Sequence, residues 1–292
     1  MTDDRRTRVT SWLRSLQDSI TDALTAIDGS AFREDAWERP GGGGGRTRVL
    51  EHGAVLERGG VNFSEVFGEL PGELTGMPGS GRSFYATGVS LVLHPRNPFA
   101  PTVHANFRYL ERGETGWFGG GADLTPSYLF DEDARHFHRT LEAACDRHGP
   151  ELYRAFKREC DDYFLIAHRG ERRGVGGLFF DHLQGDLEAR FAFVRDAGWA
   201  FLPAYLPILL RRKDTPFAPH HRDWQLLRRG RYVEFNLVYD RGTVFGLKTA
   251  GRTESILMSL PPHATWAYAH EPAPGSDEAR LLEVLRRPRE WT

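Results

Sequence analysis

The chain has 292 residues, of which 40% are hydrophobic and 27% charged, the proportions of an ordinary soluble globular protein with one large domain or two small ones. Its 38 basic and 40 acidic side chains give a formal net charge of −2, so the overall charge predicts no binding to nucleic acid or to an anionic membrane. No apolar run approaches the roughly 20 residues that cross a bilayer, and the polar start from Met1 to Arg8 lacks a signal-peptide core, so we expect a cytoplasmic protein without stable membrane insertion.

The N-terminal part predicts one helix followed by strands and turns. Residues 7–28 carry apolar side chains at the three- and four-residue spacing of an amphipathic helix. Gly41 to Gly45 are five consecutive glycines, which predict a flexible loop, and no Gly-Lys-Ser/Thr follows to make it a phosphate-binding loop. Strands and turns are predicted over 48–67.

The next two predicted strands, near 83–94 and 102–111, carry the densest set of chemically useful side chains. In the second strand, apolar residues alternate with His104, Asn106 and Arg108. Side chains two apart in a strand share a face, so an imidazole, an amide and a guanidinium should project together over a buried apolar layer. The same alternation is also typical of any half-exposed sheet, and the pattern alone leaves that interpretation open.

Ser90 and His94 share a face of the first of these strands by the same rule. The glycine-rich run from Gly119 to Pro126 predicts a tight turn. A helix is predicted from Asp131, whose carboxylate can cap it, and its periodicity points His138 inward.

Three more helices follow, over about 151–167, 186–197 and 201–213, and His168 lies at the end of the first. From residue 232 apolar and polar residues alternate again, which predicts an antiparallel meander over about 232–266. Its turns are Asp240-Arg241-Gly242 and Ala250-Gly251-Arg252.

A last helix is predicted over 277–287, with Ser276 as its cap. Helices and antiparallel strands are segregated along the chain, without regular strand–helix–strand alternation. The predicted fold class is therefore α+β, with one large, mainly antiparallel β-sheet flanked by α-helices on both faces, in a single domain over 1–292.

Two kinds of site are compatible with these residues. Imidazole ligands for one metal ion could come from His94, His104, His138 and His168, although their spacing matches no compact motif. Alternatively, arginines on strands or at strand turns could bind a polycarboxylate or phosphate, because a guanidinium pairs with two oxygens of a carboxylate. These arginines are Arg108, Arg241 and Arg252.

Long motifs resemble the oxygen-dependent coproporphyrinogen III oxidase family over the chain from about Gly41 to its end. They are His94-Pro-Arg-Asn-Pro-x-Ala-Pro-Thr-Val-His104-x-Asn-x-Arg108, Trp117-Phe-Gly-Gly-Gly-x-Asp-Leu-Thr-Pro126, Arg173-Gly-Val-Gly-Gly-Leu-Phe-Phe-Asp181, Gly230-Arg-Tyr-Val-Glu-Phe-Asn-Leu-Val-Tyr-Asp-Arg-Gly-Thr-x-Phe-Gly246 and Gly251-Arg-Thr-Glu-Ser-Ile-Leu-Met-Ser-x-Pro-Pro262. Departures are few: Glu65 and Phe67 replace histidines of many members, and Ala250 replaces a common glycine.

The resemblance implies oxidative decarboxylation of two propionates of coproporphyrinogen III to vinyl groups, which gives protoporphyrinogen IX in haem biosynthesis. O2 is the acceptor, carbon dioxide and hydrogen peroxide are released, and no organic cofactor is needed. The resemblance assigns proton transfer to His104, for which an imidazole of ordinary pKa about 6.5 is suited. It assigns the pyrrole N–H to Asp240 and a propionate to Arg241. The implied substrate contacts are Ser90, Asn106, Phe107, Arg108, Ala250, Gly251 and Arg252.

The resemblance further implies a divalent metal as a candidate cofactor at His94, His104, His138 and His168, and a homodimer formed through the meander over 232–266. Neither the need for metal nor its identity follows from the sequence. Two other functions stay open: a catalytically silent tetrapyrrole-binding protein with the same arginines, and a metal hydrolase with the same histidines.

Overall fold

A seven-stranded antiparallel sheet organises the protein, which we describe from a computed structural model covering residues 2–70, 77–248 and 251–292. Six strands follow one another in chain order and a late strand adds at the far edge, giving the order β1-β2-β3-β4-β5-β6-β9. A two-stranded ladder, β7-β8, is separate. The strands are β1 Arg33–Glu38, β2 Gly43–Glu51, β3 Leu56–Glu69, β4 Ser83–Pro95, β5 Thr102–Arg112, β6 Thr115–Thr125, β7 Leu165–Ile166, β8 Glu171–Arg172 and β9 Gly176–Leu183.

Helices precede the sheet, connect its last two strands and complete the chain. They are α1 Thr2–Asp28, α2 Asp131–Asp146, α3 Leu152–Tyr163, α4 Leu187–Trp199, α5 Phe201–Arg212, α6 Pro219–Val238, α7 Arg241–Lys248, α8 Thr253–Leu257 and α9 Asp277–Arg286, with a 3-10 turn at Ala167–Arg169. Within the described ranges, no helix combines the length and apolar character needed to cross a membrane.

One face of the sheet builds the main hydrophobic core. On β5 this face carries Val103, Ala105, Phe107 and Tyr109, each at most 2% exposed. The ring of Phe107 lies edge-on to Trp12 of α1, and the same cluster includes apolar side chains of α4 and α5. The alternation therefore buries its apolar half as predicted, under helices on that side.

The opposite face of the sheet carries the polar half of the alternation and is covered by the C-terminal helices. The register pairs Ser90 with Asn106 across β4 and β5. Above this face, Ser255 of α8 shares a 2.8 Å hydrogen bond with Thr47 of β2. Helices thus lie on both faces of one antiparallel sheet, which confirms the predicted fold class.

The predicted meander over 232–266 is wrong. Residues 219–238 form the 20-residue helix α6, and α7 and α8 follow it. Trp224, Leu227 and Phe235 are buried at helical spacing, whereas the apolar Leu237 and Val238, which suggested a strand, are 44% and 59% exposed. Pro219 occupies the first turn of α6, where its missing N–H is tolerated.

The glycine runs are also placed differently from their predictions. Gly43 to Gly45 belong to β2, where a Cβ on Gly44 would lie 2.3 Å from the Trp37 carbonyl oxygen. The predicted turn at Gly119 to Pro126 is instead the second half of β6, which runs to Thr125. In both runs, glycines without side chains let neighbouring backbone approach closely, and this close packing, not a need for flexibility, explains them.

The remaining helix predictions hold with shifted ends. The helix predicted over 7–28 begins at Thr2, and the one predicted over 151–167 ends at Tyr163. Ser276 caps α9 by accepting a hydrogen bond from the Ala279 N–H, as predicted. Asp131 is the first residue of α2 and does not cap it, because Phe130 occupies the N-cap position; the Asp131 carboxylate accepts a hydrogen bond from Arg280.

Candidate functional site

The centre of the polar face is a hydrogen-bonded chain of His104, Asp123 and Arg173. His104 on β5 lies directly opposite Asp123 on β6, and its Nδ1 is 2.8 Å from an Asp123 carboxylate oxygen. An ionised carboxylate only accepts, so Nδ1 carries the proton and the basic lone pair lies on Nε2. Among the described residues none hydrogen-bonds Nε2, and the imidazole side chain is 21% exposed. This nitrogen is therefore available to a ligand above the sheet.

Asp123 is 1% exposed and is held ionised by its partners. Burial alone would raise its pKa, but the charge of Arg173 and the hydrogen bond from His104 hold that pKa below its usual value. Arg173 donates to both carboxylate oxygens, at 2.8 and 3.0 Å, and to the Asn236 side chain of α6 at 2.8 Å. The fixed carboxylate in turn orients the imidazole, as a buried aspartate does in known acid–base pairs.

Asp240 lies at the junction of α6 and α7, not in the predicted hairpin. One carboxylate oxygen accepts from the Thr243 N–H at 2.7 Å, an N-cap of α7, and the other accepts from the Tyr163 hydroxyl at 2.9 Å. Although burial raises its pKa, the hydrogen bonds from Thr243 and Tyr163 lower that pKa overall. Asp240 is thus a stable carboxylate close to His104.

Each of the three predicted arginines is paired with a protein carboxylate; Arg108 and Arg241 lie near this centre, whereas Arg252 lies over β1 at the far edge of the sheet. Arg108 contacts Asp181 at 2.9 Å, and Arg241 lies 3.9 Å from the same carboxylate oxygen. Arg252 pairs with Asp35 of β1. The guanidinium of Arg241 lies 4.8 Å from the ring centroid of Tyr163 and is 62% exposed as a side chain.

Glycines on this face of the sheet leave space for the side chains of neighbouring strands to lie close to the backbone. Gly88 on β4 and Gly119 on β6 lie opposite Arg108 in the register, so they share its face. A Cβ on Gly119 would come 2.9 Å from the Arg108 side chain, which shows that the guanidinium crosses directly over the glycine backbone. A stacked pair of rings, Tyr163 and Phe179 with centroids 4.1 Å apart, borders the face. Guanidinium groups beside aromatic rings are a combination that can bind a ligand with carboxylates.

The four histidines proposed as metal ligands are not brought together. His94 contacts Thr102 and the Ser259 carbonyl, and His138 contacts Tyr153 and the Val175 carbonyl, each through both ring nitrogens. Burial lowers the pKa of both imidazoles to about 3. His168 uses its two nitrogens on Tyr239 and Glu234.

In the part of the chain that the structure describes, no three His, Cys, Asp or Glu side chains are grouped to hold a metal ion. The imidazoles as arranged do not fit a common metal, because three of the four already bind protein groups through both nitrogens. We therefore derive no chemical step through a metal.

The other predicted contacts divide into three groups. Ser90 and Asn106 lie on the site face, next to Arg108, which donates to Asn106 at 3.3 Å. The Phe107 side chain points into the opposite core, so only its backbone is on the site side. Ala250 lies outside the described residues, and the Gly251 N–H bonds to the Gly246 carbonyl.

Sequence reasoning missed three residues of this site: Asp123, Arg173 and Tyr163. Asp123 fell in a presumed glycine turn, although a strand prediction there would have made it a neighbour of His104. Arg173 and Tyr163 lie outside the strands that show alternating apolar and polar residues. Only the packing of α3 and α6 brings their side chains to the site.

Comparison with known proteins agrees with this geometry. The family model for coproporphyrinogen III oxidase matches residues 8–291. The chain is 52% identical to the oxygen-dependent coproporphyrinogen-III oxidase, chloroplastic, of Glycine max, and 51% identical to coproporphyrinogen-III oxidase 1, chloroplastic, of Arabidopsis thaliana. Each alignment covers 98% of this chain and 79% of the relative. The chain belongs to the coproporphyrinogen III oxidase family.

Proposed function

We propose that this protein is an oxygen-dependent coproporphyrinogen III oxidase of haem biosynthesis. It converts two propionates of its tetrapyrrole substrate to vinyl groups, and O2 takes the two electrons released at each. For each side chain, R–CH2–CH2–COOH and O2 give R–CH=CH2, CO2 and H2O2. The observation that carries the proposal is the His104–Asp123–Arg173 chain with Arg108 and Arg241 beside it, in a chain of this family.

The substrate chemistry matches the charges of this face. Coproporphyrinogen III carries four propionates, and Arg108, Arg241 and Arg252 can pair with carboxylates through two oxygens. Because Gly88 and Gly119 have no side chains, the Arg108 side chain can lie close to the sheet, where it would meet a propionate. The reduced tetrapyrrole is electron-rich, so its reaction with O2 needs no organic cofactor.

His104 would receive or return the proton that moves during oxidation. Its Nδ1 is held by Asp123, so the Nε2 lone pair is the group that faces substrate. Asp123 would stabilise the imidazolium when it forms, because its own pKa stays low and it remains charged.

Asp240 would accept a hydrogen bond from a pyrrole N–H. Its pKa is lowered, so it is a weak base, and holding the N–H suits it better than removing the proton. For Asp240→Ala we expect kcat to fall by about 100-fold or more, while KM changes by only a few fold, because the arginines still bind the propionates. A variant with ordinary kcat and a greatly raised KM would contradict this role.

A homodimer is part of the proposal, because apolar side chains remain exposed over the segment assigned to the dimer contact. These are Leu237, Val238, Leu247 and Trp266, from 41% to 59% exposed. Light scattering after gel filtration tests it: we expect twice the mass of the 33.1 kDa chain, and a lower mass for Val238→Lys.

Location in the cytoplasm also remains a prediction, since both relatives are named chloroplastic, and cell fractionation tests it.

The decisive experiment supplies purified protein with coproporphyrinogen III under air. We expect O2 consumption, CO2 release and a divinyl product. Tight binding without product would favour a tetrapyrrole-binding protein, and hydrolysis without O2 would favour a hydrolase. Either result would overturn the proposal.

A further inference from the structure

Asp181 is a carboxylate placed among the arginines that should receive substrate carboxylates. It lies near the end of β9, and its Oδ2 is 2.9 Å from Arg108 and 3.9 Å from Arg241. Its other oxygen accepts the N–H of His182 at 2.9 Å. The backbone thus fixes one side of the carboxylate and leaves the other facing two guanidinium groups.

Irregular backbone produces this placement. Between Phe180 and Leu183 the edge strand β9 contains one more residue than the facing part of β6, which is a β-bulge. His182, in that extra stretch, has φ of 53°, the left-handed region that side chains other than glycine rarely adopt. Bulges of this kind redirect a side chain and are frequent beside active sites.

The opposing strand also accommodates the pair. A Cβ on Gly119 would lie 2.6 Å from an Asp181 oxygen and 2.9 Å from Arg108. Any larger residue there would separate the two side chains. Bulge and glycine together hold a carboxylate where a propionate would bind.

We propose, on the basis of the proposed function, that Asp181 is a carboxylate stand-in that competes with the substrate propionates for Arg108 and Arg241. It neutralises these arginines before substrate binds and pairs with them again once a propionate has left as CO2. The vinyl group that remains has no charge to pair with a guanidinium. Asp181 is therefore a positioning residue. It weakens the binding of the substrate carboxylates and makes release of the vinyl product easier.

A competitor and a support have opposite effects on affinity. If Asp181 competes, its neutral analogue leaves both arginines free for the ligand, and affinity rises. If Asp181 only holds Arg108 in position, the same change lets the guanidinium move, and affinity falls. The direction of the change therefore decides the question.

The experiment measures binding and turnover separately in Asp181→Asn. Binding uses coproporphyrin III, the fluorescent oxidised analogue with the same four carboxylates, titrated under nitrogen. We expect its Kd and the KM for coproporphyrinogen III to fall by about fivefold, the effect of one partly exposed ion pair, while kcat does not rise. Asp181→Glu, which keeps the charge, should return both constants toward the wild-type values.

Two further variants make the result decisive. Asp181→Ser is a second uncharged form in case the amide disturbs folding. Asp214→Asn removes an exposed carboxylate that pairs with Lys213 outside the site, and we expect unchanged constants. Unchanged or higher Kd and KM in a folded uncharged Asp181 variant would overturn the inference. Failure of the wild-type protein to bind and convert the tetrapyrrole would instead overturn the proposed function.

Discussion

Two regions of this protein use histidine in opposite ways. In the site, the His104 imidazole is partly exposed, and Asp123 holds one ring nitrogen while the other faces the open side of the sheet. Deeper in the molecule, His94 and His138 are fully buried, and protein groups occupy both nitrogens of each.

The contrast shows what leaves a histidine nitrogen available to a ligand here. Burial, with a positive charge nearby (Arg229 or Lys157), lowers the pKa of His94 and His138 to about 3, so they stay neutral and contribute to the packing of the fold. His104 keeps a free lone pair beside a fixed carboxylate. His94 and His104 lie in the same sequence motif, so position in the motif does not distinguish them. The number of ring nitrogens without a protein hydrogen bond does.

Replacement of His104 should give the largest effect. For His104→Ala we expect kcat to fall by about 100- to 10,000-fold, with KM nearly unchanged, because proton transfer is lost and the arginines remain. Steady-state kinetics and thermal unfolding check it, and the unfolding midpoint should stay near that of the wild type. A variant that keeps most of its kcat would remove His104 from the chemistry.

Replacement of His138 should damage the fold instead. His138→Ala leaves the Tyr153 hydroxyl and the Val175 carbonyl without their partner and opens a cavity. We expect the free energy of unfolding to drop by about 3 kcal/mol in denaturant titration. Activity per folded molecule should remain close to the wild-type value, and a selective loss of kcat in a stable variant would break the comparison.

Acid should destabilise the protein through the same buried histidines. Their pKa rises from about 3 in the fold to about 6.5 when unfolded, so between these values the unfolded chain binds more protons. Stability therefore falls as pH decreases below about 6.5, by about 1.4 kcal/mol per pH unit for each histidine. In His138→Gln this pH slope should be smaller than in the wild type, and an identical slope would contradict the assignment.

Removal of metal should have the smallest effect. Because His94, His138 and His168 bind protein groups through both nitrogens, we expect kcat to stay within about twofold after dialysis against a chelator. Metal content is measured in parallel by mass spectrometry. Activity that is lost with the metal and restored by a divalent cation would show that these imidazoles rearrange to bind it.

The sequence predicted the structure correctly in the regions where the local pattern of apolar residues agrees with their burial in the fold. Alternation over 102–111 identified the strand and the shared face of His104, Asn106 and Arg108, because one face of that strand is buried. It failed at 232–266, where the residues form the end of α6 and the short helices α7 and α8. Periodicity from Pro219, with Trp224 and Leu227 buried, would have revealed the helix.

Several side-chain pairs on the polar face depend on contacts between segments that are distant along the chain. Asp123 meets His104 through strand register, and Asp181 meets Arg108 through a bulge at the edge of the sheet. Arg252 reaches Asp35 from a segment more than 200 positions away. Such pairs follow from the assembled fold, not from spacing along the chain.

The strand order has a consequence for how the protein folds during synthesis. β1 to β6 pair in the order in which they are made, by short-range hairpin contacts that form early. The floor with His104 and Asp123 can therefore be complete while α6, α7 and Asp240 are still untranslated. Chains are synthesised at about 5–20 residues per second, so several seconds pass between synthesis of the polar face of the sheet and synthesis of the helices that cover it. The candidate site is thus completed only late in translation, and we expect ribosome-bound chains that stop before α6 to fold a sheet without activity.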